Sequence, residues 1–298
     1  MSDSGARLIL GPMRVPFLML AIVCVLLGVA TAHHAGAELK ALHLALALLG
    51  GLAAHVAVNA LNEYDDFRSG LDARTTRTSF SGGSGVLPAN PDKARYGLAV
   101  GLSGLAVTVA VGVFFIAVRG WGILPLGLLG LLVVVVYTKW LTHSVLLCLL
   151  APGAGFGLMT LGTHYVLAGD YAPVALWATL VPFFLVSNLL LINQLPDIEA
   201  DAAVGRRHLM IVHGRRAGLT VYGLFLVATY ASIAAGWRVD ALPAWSLIAL
   251  ATVVIAVPTY RGAERHAEDI PALIPFLGRN VVLTLATPAL LAIALFVS

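Results

Sequence analysis

The sequence predicts an all-α polytopic membrane protein, nine transmembrane helices around a central cavity with the N-terminus cytoplasmic, and three observations carry that expectation. First, the 298 residues are 59% hydrophobic and 11% charged, with a mean hydropathy of +0.92. An ordinary soluble domain has about a quarter charged residues, so water is not this chain's main solvent. Second, nine stretches of at least 19 residues contain no Lys, Arg, Asp or Glu, at 15–37, 41–62, 96–118, 120–138, 140–169, 171–196, 217–237, 241–260 and 280–298. Each is about long enough to cross a bilayer as a helix. Third, with the N-terminus inside, 15 of the 18 Lys and Arg residues fall on the cytoplasmic side and only Lys40, Arg119 and Arg238 fall outside. That asymmetry obeys the positive-inside rule.

The first stretch reads as a helix and not as a removed signal. No small-residue cleavage site of A-x-A type follows it, and Ala30-Thr31-Ala32 leads into His33-His34 and a second span. Connections are short except at 63–95 and 197–216, both cytoplasmic in this topology, and no Ser/Gly-rich linker divides the chain. Residues 1–298 therefore read as one domain. The basic residues flank spans and form no DNA- or RNA-binding motif, so the pI of 9.0 points to anionic lipid headgroups and anionic substrates, not to nucleic acid. Cys24 and Cys148 lie far apart within spans, with no CxxC or His-rich pattern, and imply neither a disulfide nor a zinc site.

The second and sixth stretches end in acidic clusters. Seven of the 15 acids are Glu63, Asp65, Asp66 and Asp72 in the first cluster and Asp197, Glu199 and Asp201 in the second. On a continuous helix Asn193, Asp197 and Asp201 share a face at i, i+4 and i+8, with Glu199 pointing elsewhere. Asn62 and Asp66 share a face likewise, and Gly70 is expected to end the helix so that Asp72 folds back toward Asp66. Asn62/Asp66 and Asn193/Asp197 form a weak repeat 131 residues apart, two halves facing one site. A solvated helix end accounts for one such cluster, but two matched clusters on one side of the membrane point to a shared cavity. Paired carboxylates there suit hard divalent cations, and Mg²⁺ keeps positions open for substrate phosphates.

At these residues the chain resembles the UbiA superfamily of intramembrane prenyltransferases, whose signature is two Asp-rich motifs after the second and sixth of nine helices. The resemblance covers nearly the whole chain. Asn62-Glu-Tyr-Asp-Asp-Phe-Arg-Ser-Gly-Leu-Asp72, then Gly82-Gly83-Ser84-Gly85, look most like the branch that prenylates 1,4-dihydroxy-2-naphthoate in menaquinone synthesis. So does Leu161-Gly162-Thr163-His164-Tyr165 followed by Ala168-Gly169. The resemblance implies Mg²⁺-dependent transfer of a polyprenyl group from its diphosphate to an aromatic acceptor. Carried over residue by residue, it implies Asn62, Asp66, Asp72, Asp197 and Asp201 as metal ligands, with Arg14, Asn62, Asn193, Tyr137 and Lys139 on the substrate. Asp66, Asp197 and Lys139 are the residues it makes catalytic. Arg14 and Lys139 would contact diphosphate oxygens, although helix-end charges that only set topology have the same positions. Gly82–Gly85 would bring backbone amides near phosphate or serve simply as a flexible loop.

One segment departs from the resemblance. The naphthoate branch usually carries Gly-Leu-Gly-Glu in the fifth-helix region, and residues 143–157 contain no acid. Another acceptor such as hydroxybenzoate, or cyclisation of the prenyl chain, is therefore the alternative, with a polytopic transporter or a lipid-binding scaffold behind it. Transporter sites lie at mid-span, whereas these acids lie at helix ends. A base must finally take the ring proton of the acceptor, and His55, His143 and His164 lie in expected spans, with Tyr64 and Tyr137 close to the acids. The site is expected to face the cytoplasm from a bacterial inner membrane, with lipid and the two substrates as partners and no obligate protein partner.

Overall fold

The computed structural model describes residues 5–298, which are overwhelmingly helical, with no strand among the described residues. Helix α1 (Gly5–Met13) precedes the first span, α2 (Met19–His34), which is entered through a 3-10 turn at Val15–Leu18. Then come α3 (Ala41–Ser69), the short α4 (Val86–Ala89), α5 (Arg95–Arg119), α6 (Leu124–Val136), α7 (Val145–Ala168) and α8 (Pro173–Asn193). The chain finishes with the short α9 (Ile198–Ala203), α10 (Leu209–Arg238), a 3-10 stretch Ala244–Thr252 running into α11 (Val253–Arg265), and α12 (Ile270–Phe296).

Among the described residues eight helices are long and apolar enough to cross a membrane. They cover every expected span except 120–138, where the apolar helix Trp121–Val136 is shorter. Gly120, at φ 82°, starts it, and a 3-10 turn at Trp121–Ile123 takes up its first residues. Conversely, α3 has 29 residues and extends about 43 Å at 1.5 Å per residue, more than the ~30 Å hydrocarbon core. A helix of that length crosses with a tilt or extends past the core, and Asn62 and Asp66 lie in its last turns.

Bilayer solvation explains the packing. Large apolar side chains such as Val113, Leu129, Leu132, Leu146 and Val254 are exposed, where acyl chains would cover them. Helices then associate through close backbone approach at small residues. A Cβ on Gly104 of α5 would lie 2.7 Å from the Ala53 carbonyl oxygen of α3, so only glycine allows that crossing. The spans Val15–His34 and Pro173–Asn193 are the most buried, and α5 the least. One apolar core joins α8, α10 and α12 through Leu185, Ile192, Tyr222, Ile233, Leu277 and Leu291. A smaller one joins α2, α3, α5 and α7 around Val25, Phe115 and Val166. The cavity that holds the site borders the smaller core, whose Ala47, Phe115, Ile123 and Val166 line it.

Candidate active site

A cavity of about 550 Å³ has polar residues of both acidic clusters at one end and apolar walls from α3, α5, α6 and α7 along the rest. Arg14, Asn62, Asp66, Asp72, Tyr137, Asn193, Asp197 and Asp201 all line it, so the structure brings together every expected site residue except Lys139. Lys139 is exposed and pairs with Asp65 at 3.8 Å.

The first wall forms as the turn chemistry requires. Gly70 caps α3 in the left-handed region at φ 75°, ψ 10°, which glycine adopts without strain. The chain folds back into a 3-10 turn that buries Asp72. Burial pushes the Asp72 carboxyl up to about 6, and the neighbouring Glu63 adds to the rise. Asn62 donates through Nδ2 to the Thr138 hydroxyl at 3.0 Å, which leaves its side-chain oxygen for the cavity.

The second wall corrects the expectation of one continuous helix through Asn193, Asp197 and Asp201. Helix α8 stops at Asn193, a turn follows, and Asp197 precedes the separate α9. Pro196 is the physical reason, because it has no N–H to donate and disfavours helical geometry in the residue before it. The three residues still reach one cavity, and Glu199 is exposed as expected. Burial, with Asp201 next in effect, pushes the Asp197 carboxyl up to about 7.

Two residues without an expected role complete this end. Arg206 donates to Asp201 Oδ1 at 2.9 Å and to Asp66 Oδ1, joining the two motifs. His208 is buried with Nε2 3.3 Å from Asp201 Oδ2. The only local signal was Gly205-Arg206-Arg207-His208 directly after the second cluster. Helix-end charges of that kind read equally as topogenic.

Arg14 also lines the cavity, from a backbone at φ 52°, ψ 52°. A non-glycine residue rarely occupies that region, and such strain concentrates at functional sites. Here it breaks the chain between α1 and the first span, and the guanidinium lies 4.9 Å from the Phe17 ring centroid. Across the site, the glycine-rich segment has positive φ at Gly82, Gly83 and Gly85, and Gly82 and Gly83 line the cavity.

Of the three in-span histidines, only His55 lines the cavity. Its Nδ1 is buried without a partner, and its ring meets Phe156 edge-on at 4.9 Å. Eleven residues separate it from Asp66, about 16 Å along α3, which places it among the apolar walls. His143 is exposed. His164 is fully buried away from the cavity, bonded to Thr31 and Asp170. Of the two tyrosines, Tyr137 lines the cavity, while Tyr64 lies beside Arg68.

The donor set fits a hard divalent cation. Asp72 Oδ2, Asp197 Oδ1 and Asn193 Oδ1 are buried oxygens without a hydrogen-bond partner, and an unsatisfied buried acceptor is costly unless something binds it. Among the described residues no three His, Cys, Asp or Glu side chains already form a metal cage. Oxygens divided between two walls suit an ion that takes few protein carboxylates and completes its shell with phosphate and water.

Comparison with known proteins agrees with this architecture. Residues 21–280 match the model of the UbiA prenyltransferase family. The 1,4-dihydroxy-2-naphthoate octaprenyltransferase of Bacillus subtilis (strain 168) is 25% identical over 213 residues, which are 70% of this chain and 66% of that protein. The structure of a UbiA homolog from Aeropyrum pernix K1 superposes with a TM-score of 0.73 at 16% identity, over 93% of this chain and 98% of that one. A UbiA homolog from Archaeoglobus fulgidus, bound to DMAPP and Mg²⁺, gives 0.64 at 15% identity, over 95% of this chain and 98% of that one. With the family match extending over most of its length, through both acidic motifs, this chain belongs to the UbiA prenyltransferase family.

Proposed function

We propose that the protein transfers a polyprenyl group from its diphosphate to 1,4-dihydroxy-2-naphthoate, within the membrane and with Mg²⁺. The observation that carries this reading is the convergence of two Asp motifs and Arg14 on the polar end of one otherwise apolar cavity. Asn62, Asp66, Asp72, Asp197 and Asp201 would hold the metal. The chemistry expected of the bound ion is Lewis-acid neutralisation of the departing diphosphate.

The chain's own residues do the rest. Arg14 faces the diphosphate oxygens, and Asn62, Asn193 and Tyr137 fix its position. Lys139 reaches it only by leaving Asp65. Apolar wall residues such as Leu124, Val133, Phe156 and Leu189 exclude water from the allylic carbon as its bond to oxygen weakens. An electron-rich ring carbon of the acceptor then bonds to the allylic carbon as the C–O bond breaks with its electron pair going to the departing diphosphate, and the ring proton is taken up by a phosphate oxygen of that leaving group.

We place the site on the cytoplasmic side of a bacterial inner membrane, and the Lys and Arg asymmetry supports the cytoplasmic side. Trp121–Val136 serves as a ninth crossing. Trp121 and Trp140 flank it, and both are largely exposed, as interfacial tryptophans are. A second acceptor is favoured by one feature, the acid-free 143–157 segment, whose cavity-lining members are Cys148, Ala151, Pro152, Gly155 and Phe156.

The test is incubation of detergent-purified protein with Mg²⁺, geranylgeranyl diphosphate and 1,4-dihydroxy-2-naphthoate, followed by mass spectrometry, with Asp66→Ala and Asp197→Ala as controls. Prenylated naphthoate, lost in both variants, is the expected product. Diphosphate release without it would replace the acceptor, and a product with prenyl carbons alone would mean cyclisation. If no chain length yields either, the enzymatic reading fails.

A further inference from the structure

The Arg206 side chain is only 15% exposed, and one guanidinium spans the two motifs, with NH1 on Asp201 Oδ1 at 2.9 Å and NH2 on Asp66 Oδ1. Gly205, at φ 83°, turns the chain directly before it, and the Arg206 backbone N–H donates to the Asp201 carbonyl at 3.0 Å. Backbone and side chain thus lock the arginine onto the second motif while its fork reaches 140 residues back to the first. Arginine suits this task because its planar, permanently charged group offers several donors in fixed directions. Lysine presents a single point charge.

The oxygens that Arg206 takes belong to the same carboxylates a divalent cation would need. Asp66 and Asp201 face each other across the cavity with Asp72 and Asp197 close by. Four acids at one buried end repel one another unless a cation lies between them. Arg14 and Arg77 lie near these acids as well, but Arg206 is the cation that hydrogen-bonds both motifs, whereas Asp72 Oδ2 and Asp197 Oδ1 have no partner.

We propose that Arg206 is a built-in counter-cation, which holds the two Asp motifs in register and is exchanged for the divalent metal when diphosphate arrives. This rests on the reading of these acids as metal ligands. Metal alone must displace the guanidinium and leave a buried charge unpaired, so it binds weakly. Metal with diphosphate binds well, because the released guanidinium finds phosphate oxygens, to which an arginine fork is suited. The exchange makes metal loading depend on the diphosphate.

Mn²⁺ binding to the purified full-length protein, read from the electron paramagnetic resonance of free Mn²⁺, tests the exchange without turnover. Wild type, Arg206→Gln and Arg206→Lys are compared with Arg207→Gln, an exposed neighbour, as control. Each is measured with Mn²⁺ alone and with Mn²⁺ plus inorganic pyrophosphate. Arg206→Gln should bind Mn²⁺ alone roughly tenfold more tightly than wild type, an ordinary size for coupling between two ligands, and should lose most of the gain that pyrophosphate confers. Arg206→Lys should lie between, and it carries the test if the Gln variant does not fold. Equal Mn²⁺ affinity in wild type and both Arg206 variants, with pyrophosphate still strengthening it, overturns the exchange and leaves the metal reading standing. No Mn²⁺ binding in any protein, even with pyrophosphate, overturns both.

Discussion

Glu63 accepts the backbone N–H of Ser84 at 3.1 Å and, through its other oxygen, the Ser84 hydroxyl. Glu63 is 2% exposed and lies on α3 between Asn62 and Asp66. The contact ties the glycine-rich segment to the helix that carries the first motif, with Arg77 donating to the Gly82 carbonyl at 3.2 Å from the same loop. Glu63→Ala should therefore cost about 1–3 kcal/mol of stability, as loss of a buried hydrogen-bonded group does, and raise KM for the prenyl diphosphate more than it lowers kcat. Glu63→Gln keeps one acceptor oxygen and should be milder in both. Thermal unfolding and steady-state kinetics check this, and an unchanged KM in Glu63→Ala would detach the loop from substrate binding.

The raised carboxyls set a pH dependence. An ordinary Asp titrates near 3.9, whereas burial puts Asp72 at about 6 and Asp197 at about 7 in the fold. Between pH 4 and those values the folded protein holds more protons than the unfolded chain, so its stability falls as pH rises through this window. In EDTA the melting temperature should decline from pH 5 to pH 8, and Asp72→Asn with Asp197→Asn should flatten the decline. A melting temperature that rises over that range in wild type would contradict the assignment.

His164 should matter to folding and not to chemistry. Its two ring nitrogens meet the Thr31 hydroxyl at 3.1 Å and Asp170 at 3.2 Å, joining α2, α7 and the loop after α7. His164→Ala is expected to lose about 1–3 kcal/mol while kcat and both KM values stay within about twofold at a temperature where the variant is folded. A large drop in kcat under those conditions would return His164 to the candidates for the ring proton.

Arg14 separates backbone strain from charge. Because φ 52° suits glycine better than arginine, Arg14→Gly should keep or slightly raise the melting temperature while weakening inorganic pyrophosphate binding with Mg²⁺. Isothermal titration calorimetry reads the second effect, and unchanged affinity would leave Arg14 as a charge that only orients the helix. Arg14→Lys should retain part of the binding, since a point charge cannot make a bidentate contact.

The all-helical membrane fold and the common cavity of Asn62, Asp66, Asp72, Asn193, Asp197 and Asp201 were legible in the order of residues alone. The bilayer acts on each segment separately, and Gly70 turns Asp72 back by a local rule. The break at Pro196 was written locally too, and continuing the helix through it overlooked the proline. At 120–138 the charge-free run is longer than the helix it contains, because it counts residues that Gly120 and a 3-10 turn keep out of the helix. Which in-span histidine lines the cavity depended on how α2, α3 and α7 are rotated against one another. Likewise the pairing of Arg206 with Asp66, of Glu63 with Ser84 and of Lys139 with Asp65 emerged only from packing. A charged side chain chooses its partner by proximity in the folded molecule, and proximity across 140 residues is set by the helices between them.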